Sequence, residues 1–193
     1  MSAIPNIWTE EAYLAFERSS EIRHEHLNGR IYAMTGGTPN HNLISGNAYA
    51  SLHSQLRDQP NRVYGSDQRV KVKRTGLNTY PDISVVWDTP QFANDTLLNP
   101  IVLIEVLSPS TEAYDRGKTF QHYRELESLQ EYILISQSSH RVERYSRQSD
   151  GKWVLSDVIG LDASLELPSI QCRLALADVY ANVTLEDENS ESS

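Results

Sequence analysis

The stretch that decides the fold is Ile101-Val102-Leu103-Ile104-Glu105-Val106-Leu107, six aliphatic residues and one carboxylate. Such a run predicts a strand that is buried on both sides of a sheet. Alternation places Glu105 on the face of Leu103 and Leu107, and a shift of register would only move it to the other aliphatic face. Because burying an unpaired carboxylate is costly, Glu105 is predicted to hold a cation, unless it reaches solvent near the strand end or caps a helix.

The segments around this strand predict an α/β or α+β fold with one mixed sheet. A strand at 81–87 precedes it, with a loop at 88–99 between them, and a helix at 115–127 leads from it to a strand at 131–136. A strand, helix and strand in this order imply a parallel pair. The other predicted elements are a helix at 9–19, a hairpin at 25–34 around Asn28-Gly29, a helix at 41–58, a strand at 63–74, a hairpin of 141–147 with 152–158, and a short strand or loop followed by a short helix at 169–180.

Length and composition predict one domain over residues 1–185. The chain has 193 residues, of which 39% are hydrophobic, and it contains one cysteine, Cys172. A disulfide framework and a thiolate metal cluster are therefore excluded. No apolar run approaches the roughly 18 residues of a membrane span, and the first residues lack a signal-peptide core, so a cytoplasmic location is predicted.

The net charge of −9 argues against a protein that binds nucleic acid through a broad basic surface. Part of this charge is local, since residues 186–193 contain four acids and no base, and they are predicted to form a disordered tail. Arg69 and Lys71 begin a basic run that is either a solvated strand face or a surface that binds the substrate.

A second acid, Asp82, follows Pro81 at the start of the 81–87 strand. Alone it is typical of a turn, but on a strand next to that of Glu105 it completes a pair of carboxylates. Mg²⁺ is commonly held by one or two protein carboxylates together with water and a substrate phosphate. Asp82 and Glu105 therefore predict a metal site for phosphodiester hydrolysis.

Three more residues are candidates for this site. Lys118 lies in the helix that leaves the Glu105 strand, and it is either solvated or a fixed cation beside the scissile phosphate. Glu25 is either a surface residue or a third acid for the metal. His41 opens the second helix, where it either caps the helix or contacts a substrate phosphate.

In combination these residues resemble the Uma-two family of restriction endonucleases, in the PD-(D/E)XK nuclease superfamily. The resemblance covers roughly residues 9 to 180, and no single motif would be specific by itself. The motifs that carry it are Glu25 with Asn28-Gly29-Arg30-Ile31-Tyr32-Ala33-Met34, His41, Pro81-Asp82, Ile104-Glu105-Val106-Leu107-Ser108-Pro109-Ser110-Thr111, Asp115, Lys118, Tyr123 and Glu131-Tyr132.

The resemblance implies a restriction-endonuclease-like core, with a mixed central sheet flanked by helices. By motif position, Asp82 and Glu105 would bind Mg²⁺ or Mn²⁺. The superfamily pattern has a lysine two residues after the second acid, and this chain has Leu107 there. Lys118, from the adjoining helix, would have to bring its ammonium group to the same place.

Three functions remain open at this point. The first is a metal-dependent endonuclease that hydrolyses DNA, for which a homodimer is predicted because many enzymes that cut both strands are dimers. The second is a nuclease-fold module that binds nucleic acid or protein without turnover. The third is a structural role in assembly.

Overall fold

The computed structural model describes residues 7–34, 36–109 and 111–185, so the predicted acidic tail lies outside the described residues. The helices and strands follow in chain order. They are α1 (Glu10–Ser19), β1 (His24–Leu27), β2 (Arg30–Ala33), α2 (Pro39–Leu56), β3 (Arg62–Gly65), β4 (Val70–Val72), β5 (Leu77–Thr79), β6 (Ile83–Val86), β7 (Phe92–Ala93), β8 (Thr96–Leu97), β9 (Val102–Val106), α3 (Glu112–Tyr114), a π-helical turn (Asp115–Thr119), α4 (Phe120–Tyr123), β10 (Glu131–Ile135), β11 (Arg141–Arg147), β12 (Trp153–Ile159), β13 (Ser164–Leu167), a 3₁₀ turn (Pro168–Ile170), β14 (Cys172–Ala175) and α5 (Leu176–Val179).

The described strands form two six-stranded sheets and one two-stranded hairpin, β13–β14. The central sheet has the order β12-β11-β10-β9-β6-β3, and the second sheet has the order β2-β1-β5-β4-β8-β7. In the central sheet β9 and β10 are parallel, with Glu105 opposite Leu134, as the strand–helix–strand order predicts. The mixed α+β class is confirmed, but the strands are divided between two mixed sheets rather than one.

The two faces of β9 bury different partners. Val102, Ile104 and Val106 pack on the side of α2, in a core that also contains Ile44, Ala48 and Leu52 of that helix. Leu103 and Leu107 belong to the core on the other side, with buried residues of the second sheet and of α4. The central sheet therefore lies between α2 and the second sheet, and Glu105 is on the face toward the second sheet. Among the described residues, no helix is both long and apolar enough to cross a bilayer.

The predicted strand at 63–74 is two strands in different sheets. A turn after Gly65, in which the Gln68 amide donates to the Gly65 carbonyl at 3.0 Å, separates β3 from β4. The predicted loop at 88–99 contains the hairpin β7–β8, whose turn residues Asn94 and Asp95 both have positive φ. The predicted helix at 115–127 begins earlier, at Glu112, and ends at Tyr123.

Candidate active site

The predicted pair of acids is brought together by adjacent antiparallel strands. Asp82 directly precedes β6, and Ile83 of that strand lies opposite Ile104 of β9. The Asp82 amide donates to Glu105 Oε2 at 3.3 Å, and the Val106 amide donates to Asp82 Oδ2 at 2.7 Å. Both side chains line one cavity of about 620 Å³.

His41 contacts Asp82 from the first turn of α2. Its Nε2 lies 3.0 Å from Asp82 Oδ1, and this hydrogen bond raises the pKa of His41. The helix cap is Thr38, whose hydroxyl accepts the His41 amide at 3.1 Å, so the interpretation of His41 as the cap is wrong. Gly37 is needed beside this ring, because a Cβ there would lie 2.5 Å from His41 Cδ2.

Glu105 receives its second hydrogen bond from Tyr123, a fully buried residue of α4. The Tyr123 hydroxyl donates to Glu105 Oε1 at 2.8 Å. Burial raises the pKa of Glu105 well above its ordinary value, and the negative charges of Asp82 and Asp115 raise it further. Glu105 is thus held in place, while its charge has no ion-pair partner among the residues that the structure describes.

Glu25 also lines the cavity, from β1. Its carboxylate accepts hydrogen bonds from the Tyr114 hydroxyl at 2.6 Å and from the Thr79 hydroxyl at 3.3 Å, and burial raises its pKa. Within the described residues, no set of three or more His, Cys, Asp or Glu side chains is arranged to hold a metal ion. Glu25 therefore shares the cavity with Asp82 and Glu105 without forming a three-ligand set.

The π-helical turn supplies Asp115 and Lys118, which both line the cavity. Burial raises the pKa of Asp115 to about 6, although the Thr119 hydroxyl, 3.4 Å from Oδ1, acts in the opposite direction. Lys118 forms no ion pair with any described residue. Single-turn π-bulges are frequent at functional sites, because they change the direction in which neighbouring side chains point.

The cavity suits a hard divalent cation. Four carboxylates line it, and the basic side chains facing them are Lys118 and His41 in the part of the chain that the structure describes. Carboxylate oxygens are the ligands that Mg²⁺ and Mn²⁺ prefer, and each oxygen of Asp82 and Glu105 still has a free lone pair. Asp82 and Glu105 could therefore hold such an ion, with Glu25 and Asp115 nearby.

Two predicted substrate-binding residues lie elsewhere. Arg69 is 7% exposed, and its guanidinium donates to the Thr96 hydroxyl, the Tyr80 hydroxyl and the Asn94 carbonyl. Lys71 forms an ion pair with Glu10 of α1. Neither residue lines the cavity, so the geometry does not support their predicted role. The strand pattern gave no information on what packs against these side chains.

The sequence did not predict the parts played by Tyr114, Tyr123 and Asp115. Asp115 begins the π-helical turn, Tyr114 precedes it and Tyr123 ends α4, and the two tyrosines donate to Glu25 and Glu105. The available signal was spacing, since Asp115 is three residues before Lys118 in the helix that leaves β9.

Comparisons with known proteins identify the family and the fold of this chain. The family model Uma2, described as "Putative restriction endonuclease", matches residues 10–178. Two uncharacterized proteins of Synechocystis sp. are similar: slr1290 is 37% identical over 88% of this chain and 90% of its own length, and sll1609 is 32% identical over 85% and 94%. The fold also matches a crystal structure described as "a putative nuclease belonging to DUF820" from Anabaena variabilis, with a TM-score of 0.71 and 22% identity over 86% of this chain and 93% of that one. This chain therefore belongs to the Uma2 family.

Proposed function

We propose that this protein is a metal-dependent endonuclease that hydrolyses phosphodiester bonds in DNA, with Asp82 and Glu105 as ligands of Mg²⁺ or Mn²⁺. The observation that carries the proposal is the convergence of these two acids in one cavity, Asp82 from the residue before β6 and Glu105 from β9, where the partly buried Glu105 has no ion-pair partner among the described residues. The description of the family supports the same class of reaction.

The ion would supply an activated water and would stabilise negative charge on the phosphate. The chain's own residues then have distinct parts. The hydrogen bond from His41 and that from the Val106 amide hold the Asp82 carboxylate in one orientation. Tyr123 does the same for Glu105. His41, when protonated, also presents a positive charge to the substrate phosphate.

Lys118 takes the place of the lysine that the superfamily pattern has at position 107. Leu107 is 4% exposed and packs in the core, whereas Lys118 lines the same cavity as Glu105. Its ammonium group, free of ion pairs with the described residues, stabilises the negative charge that develops on the phosphate during hydrolysis. Glu25 as a third metal ligand stays a prediction.

The second candidate is a nuclease-fold module that binds nucleic acid or protein without turnover. It is favoured by the aliphatic residue at position 107, because Lys118 must then act from another element. The two candidates share their binding residues and differ in whether the bond is cut.

Hydrolysis of plasmid and of labelled oligonucleotides in Mg²⁺ and in Mn²⁺ separates these candidates. The purified protein should cut, and Asp82→Asn, Glu105→Gln and Lys118→Met should each lower the rate at least about a hundredfold. Lys152→Met and Asp157→Asn are matched controls on β12 and its turn, away from the cavity, and should cut at the normal rate. Cutting that survives Asp82→Asn would reveal a contaminant, and a folded protein that cuts no substrate would favour the binding module.

The cytoplasmic location and the homodimer stay predictions. A mass from sedimentation equilibrium tests the second, and the mass of a single chain at micromolar concentration would contradict it.

A further inference from the structure

A second depression joins the active-site cavity at Asp82. It runs between α2 and the edge strand β3, has a volume of about 580 Å³, and is called here the α2–β3 groove. Asp82 lines both the cavity and the groove. A polynucleotide with a phosphate at Asp82 and Glu105 would therefore have the adjoining nucleoside within reach of the groove.

The groove is nearly free of charge. Apart from Asp82, its one charged lining residue among those described is Asp67, whose carboxylate pairs with Arg23 at 2.8 Å. None of the described lining residues is a cation that could bind a phosphate group, and Arg23 beside the groove is already paired with Asp67. The amide of Asn42 and the hydroxyl of Ser45 instead offer hydrogen bonds to a neutral polar ligand. The charge pattern thus fits a base and sugar rather than a phosphate.

Tyr49 gives the groove an aromatic surface. Its ring stacks on His53 with centroids 5.8 Å apart, and it is partly buried against the core on the α2 side of the central sheet. The ring of Tyr64 lies on the other face of the sheet, where it meets the Phe92 ring edge-on at 6.0 Å. Aromatic side chains fixed in this way are the usual stacking surfaces for unpaired bases.

The missing side chain of Gly46 leaves space in the groove, and no neighbouring atom requires a glycine at this position. Gly46 lies in the middle of α2, where glycine weakens a helix, and a Cβ there would meet no atom within 4 Å. Gly65, in β3, has the same open surroundings. The missing side chains keep the space between the helix and the strand accessible to a ligand.

We propose that the α2–β3 groove binds the nucleoside of an unpaired nucleotide next to the scissile phosphate. The substrate is then a single strand, an overhang or a locally opened duplex, because the paired bases of an intact duplex cannot enter a groove at the edge of a sheet. The inference deepens the proposed function and rests on it for the identity of the ligand as a polynucleotide.

Binding without hydrolysis tests the groove. Fluorescence anisotropy, with Ca²⁺ in place of Mg²⁺ so that an ion can hold the phosphate at the carboxylates, would compare a labelled single-stranded oligonucleotide with the same sequence as a duplex. The wild-type protein should prefer the single strand. Gly46→Leu, which fills the groove, should weaken single-strand binding about tenfold and leave duplex binding unchanged. Ala50→Leu places the same side chain one helical turn later, outside the groove, and should bind as the wild type does. Tyr49→Leu should also weaken single-strand binding.

The outcomes separate this inference from the proposed function. Three results would each overturn the proposed role of the groove. They are wild-type affinity in both Gly46→Leu and Tyr49→Leu, equal losses of affinity for single strand and duplex, and no binding of single strands. If the protein cuts no DNA while Gly46→Leu still weakens single-strand binding, the role of the groove is supported and the hydrolytic function is contradicted. If the protein cuts DNA and Gly46→Leu changes neither binding nor cutting of single strands, only the proposed role of the groove is contradicted.

Discussion

Glu105 and Asp115 are partly and fully buried acids that line one cavity, and neither has an ion-pair partner among the described residues. Burial raises the pKa of both side chains, and their mutual repulsion adds to the effect for Glu105. Each side chain must keep its proton or carry a charge without a counter-ion as the pH rises. In the metal-free protein, the contribution of these two residues to the free energy of unfolding should therefore be smaller at neutral pH than at low pH.

The Asp115→Asn variant tests this consequence. The pKa of Asp115 rises from 3.8 in the unfolded chain to about 6 in the folded protein, so the folded state binds more protons between these values. Its contribution to stability is complete below pH 4 and is lost as the pH rises through 6. In EDTA, the free energy of unfolding of the wild type, relative to Asp115→Asn, should fall by on the order of 2–3 kcal/mol between pH 4 and pH 7. Urea unfolding measures it, and parallel pH curves for the two proteins would refute it.

Gly37 controls the position of the His41 ring. A Cβ at this residue would come within 3 Å of two ring atoms, so Gly37→Ala should push the imidazole away from Asp82. The hydrogen bond to Asp82 raises the pKa of His41, and its loss should return that pKa toward the ordinary value. An NMR titration of His41 measures the change. Gly36→Ala is the matched control, since a Cβ there meets nothing within 4 Å, and identical titrations in the two variants would contradict the argument.

At the residue scale, the sequence predicted the adjacency of Asp82 and Glu105, because both follow from strand alternation and chain order. It could not predict that the hydroxyl groups of Tyr114 and Tyr123 hold the acids, since these contacts depend on how α3 and α4 pack against the sheets. It was misleading for Arg69, whose basic side chain is satisfied by Thr96, Tyr80 and Asn94 inside the protein.

The π-helical turn is the element that sets the contents of the cavity. It connects α3 and α4 without interrupting the helix, and it lets Asp115, Lys118 and Thr119 line one cavity while Tyr123, further along, reaches Glu105. Asp115, Lys118, Thr119 and Tyr123 are spaced i, i+3, i+4 and i+8, which keeps their side chains on one side of the helix.

Deletion of Gly117 tests the need for the turn. The deletion shortens the spacing of Asp115 and Lys118 from three residues to two, which places them about 200° apart on an α-helix. Asp115 and Lys118 should then no longer share the cavity, and hydrolysis should fall about a hundredfold or more.

Gly117→Ala is the control for this deletion. It keeps the number of residues, its Cβ meets nothing within 4 Å, and it should stabilise the helix by up to about 1 kcal/mol with normal hydrolysis. Thermal unfolding followed by circular dichroism would show that both variants fold. A folded deletion variant with the wild-type rate would show that the turn is not needed.

Local signals predicted the elements that are stabilised within their own segment. The Thr9 hydroxyl caps α1 by accepting the Ala12 amide, and the β1–β2 turn has positive φ at Asn28 and Gly29, as an Asn-Gly hairpin requires. The division of 63–74 between two sheets was not predictable in this way, because it depends on which distant strand each half pairs with. β3 pairs with β6, whereas β4 pairs with β5 and β8.

At the scale of the whole molecule, two arginines of β11 are engaged within the protein. Arg141 pairs with Glu143 and Asp157, and Arg144 pairs with Glu131. Negative charge is concentrated in the cavity, where Asp82 precedes β6 and Glu105 lies in β9 of the central sheet. A divalent cation that neutralises it should stabilise the folded protein as a whole.

Thermal unfolding with Mn²⁺ measures this stabilisation. A ligand at a hundredfold excess over its Kd adds about 2.7 kcal/mol, which corresponds to a rise in Tm of roughly 5–10 °C for a domain of this size. Asp82→Asn and Glu105→Gln should abolish the rise, and Asp157→Asn, a carboxylate on β12, should keep it. The rise should shrink from pH 8 to pH 5, because protons compete with the metal for Glu105 and Asp115, whose pKa values are raised. An equal rise in Asp82→Asn would place the binding of the ion outside the cavity, and this measurement is independent of whether the protein cuts DNA.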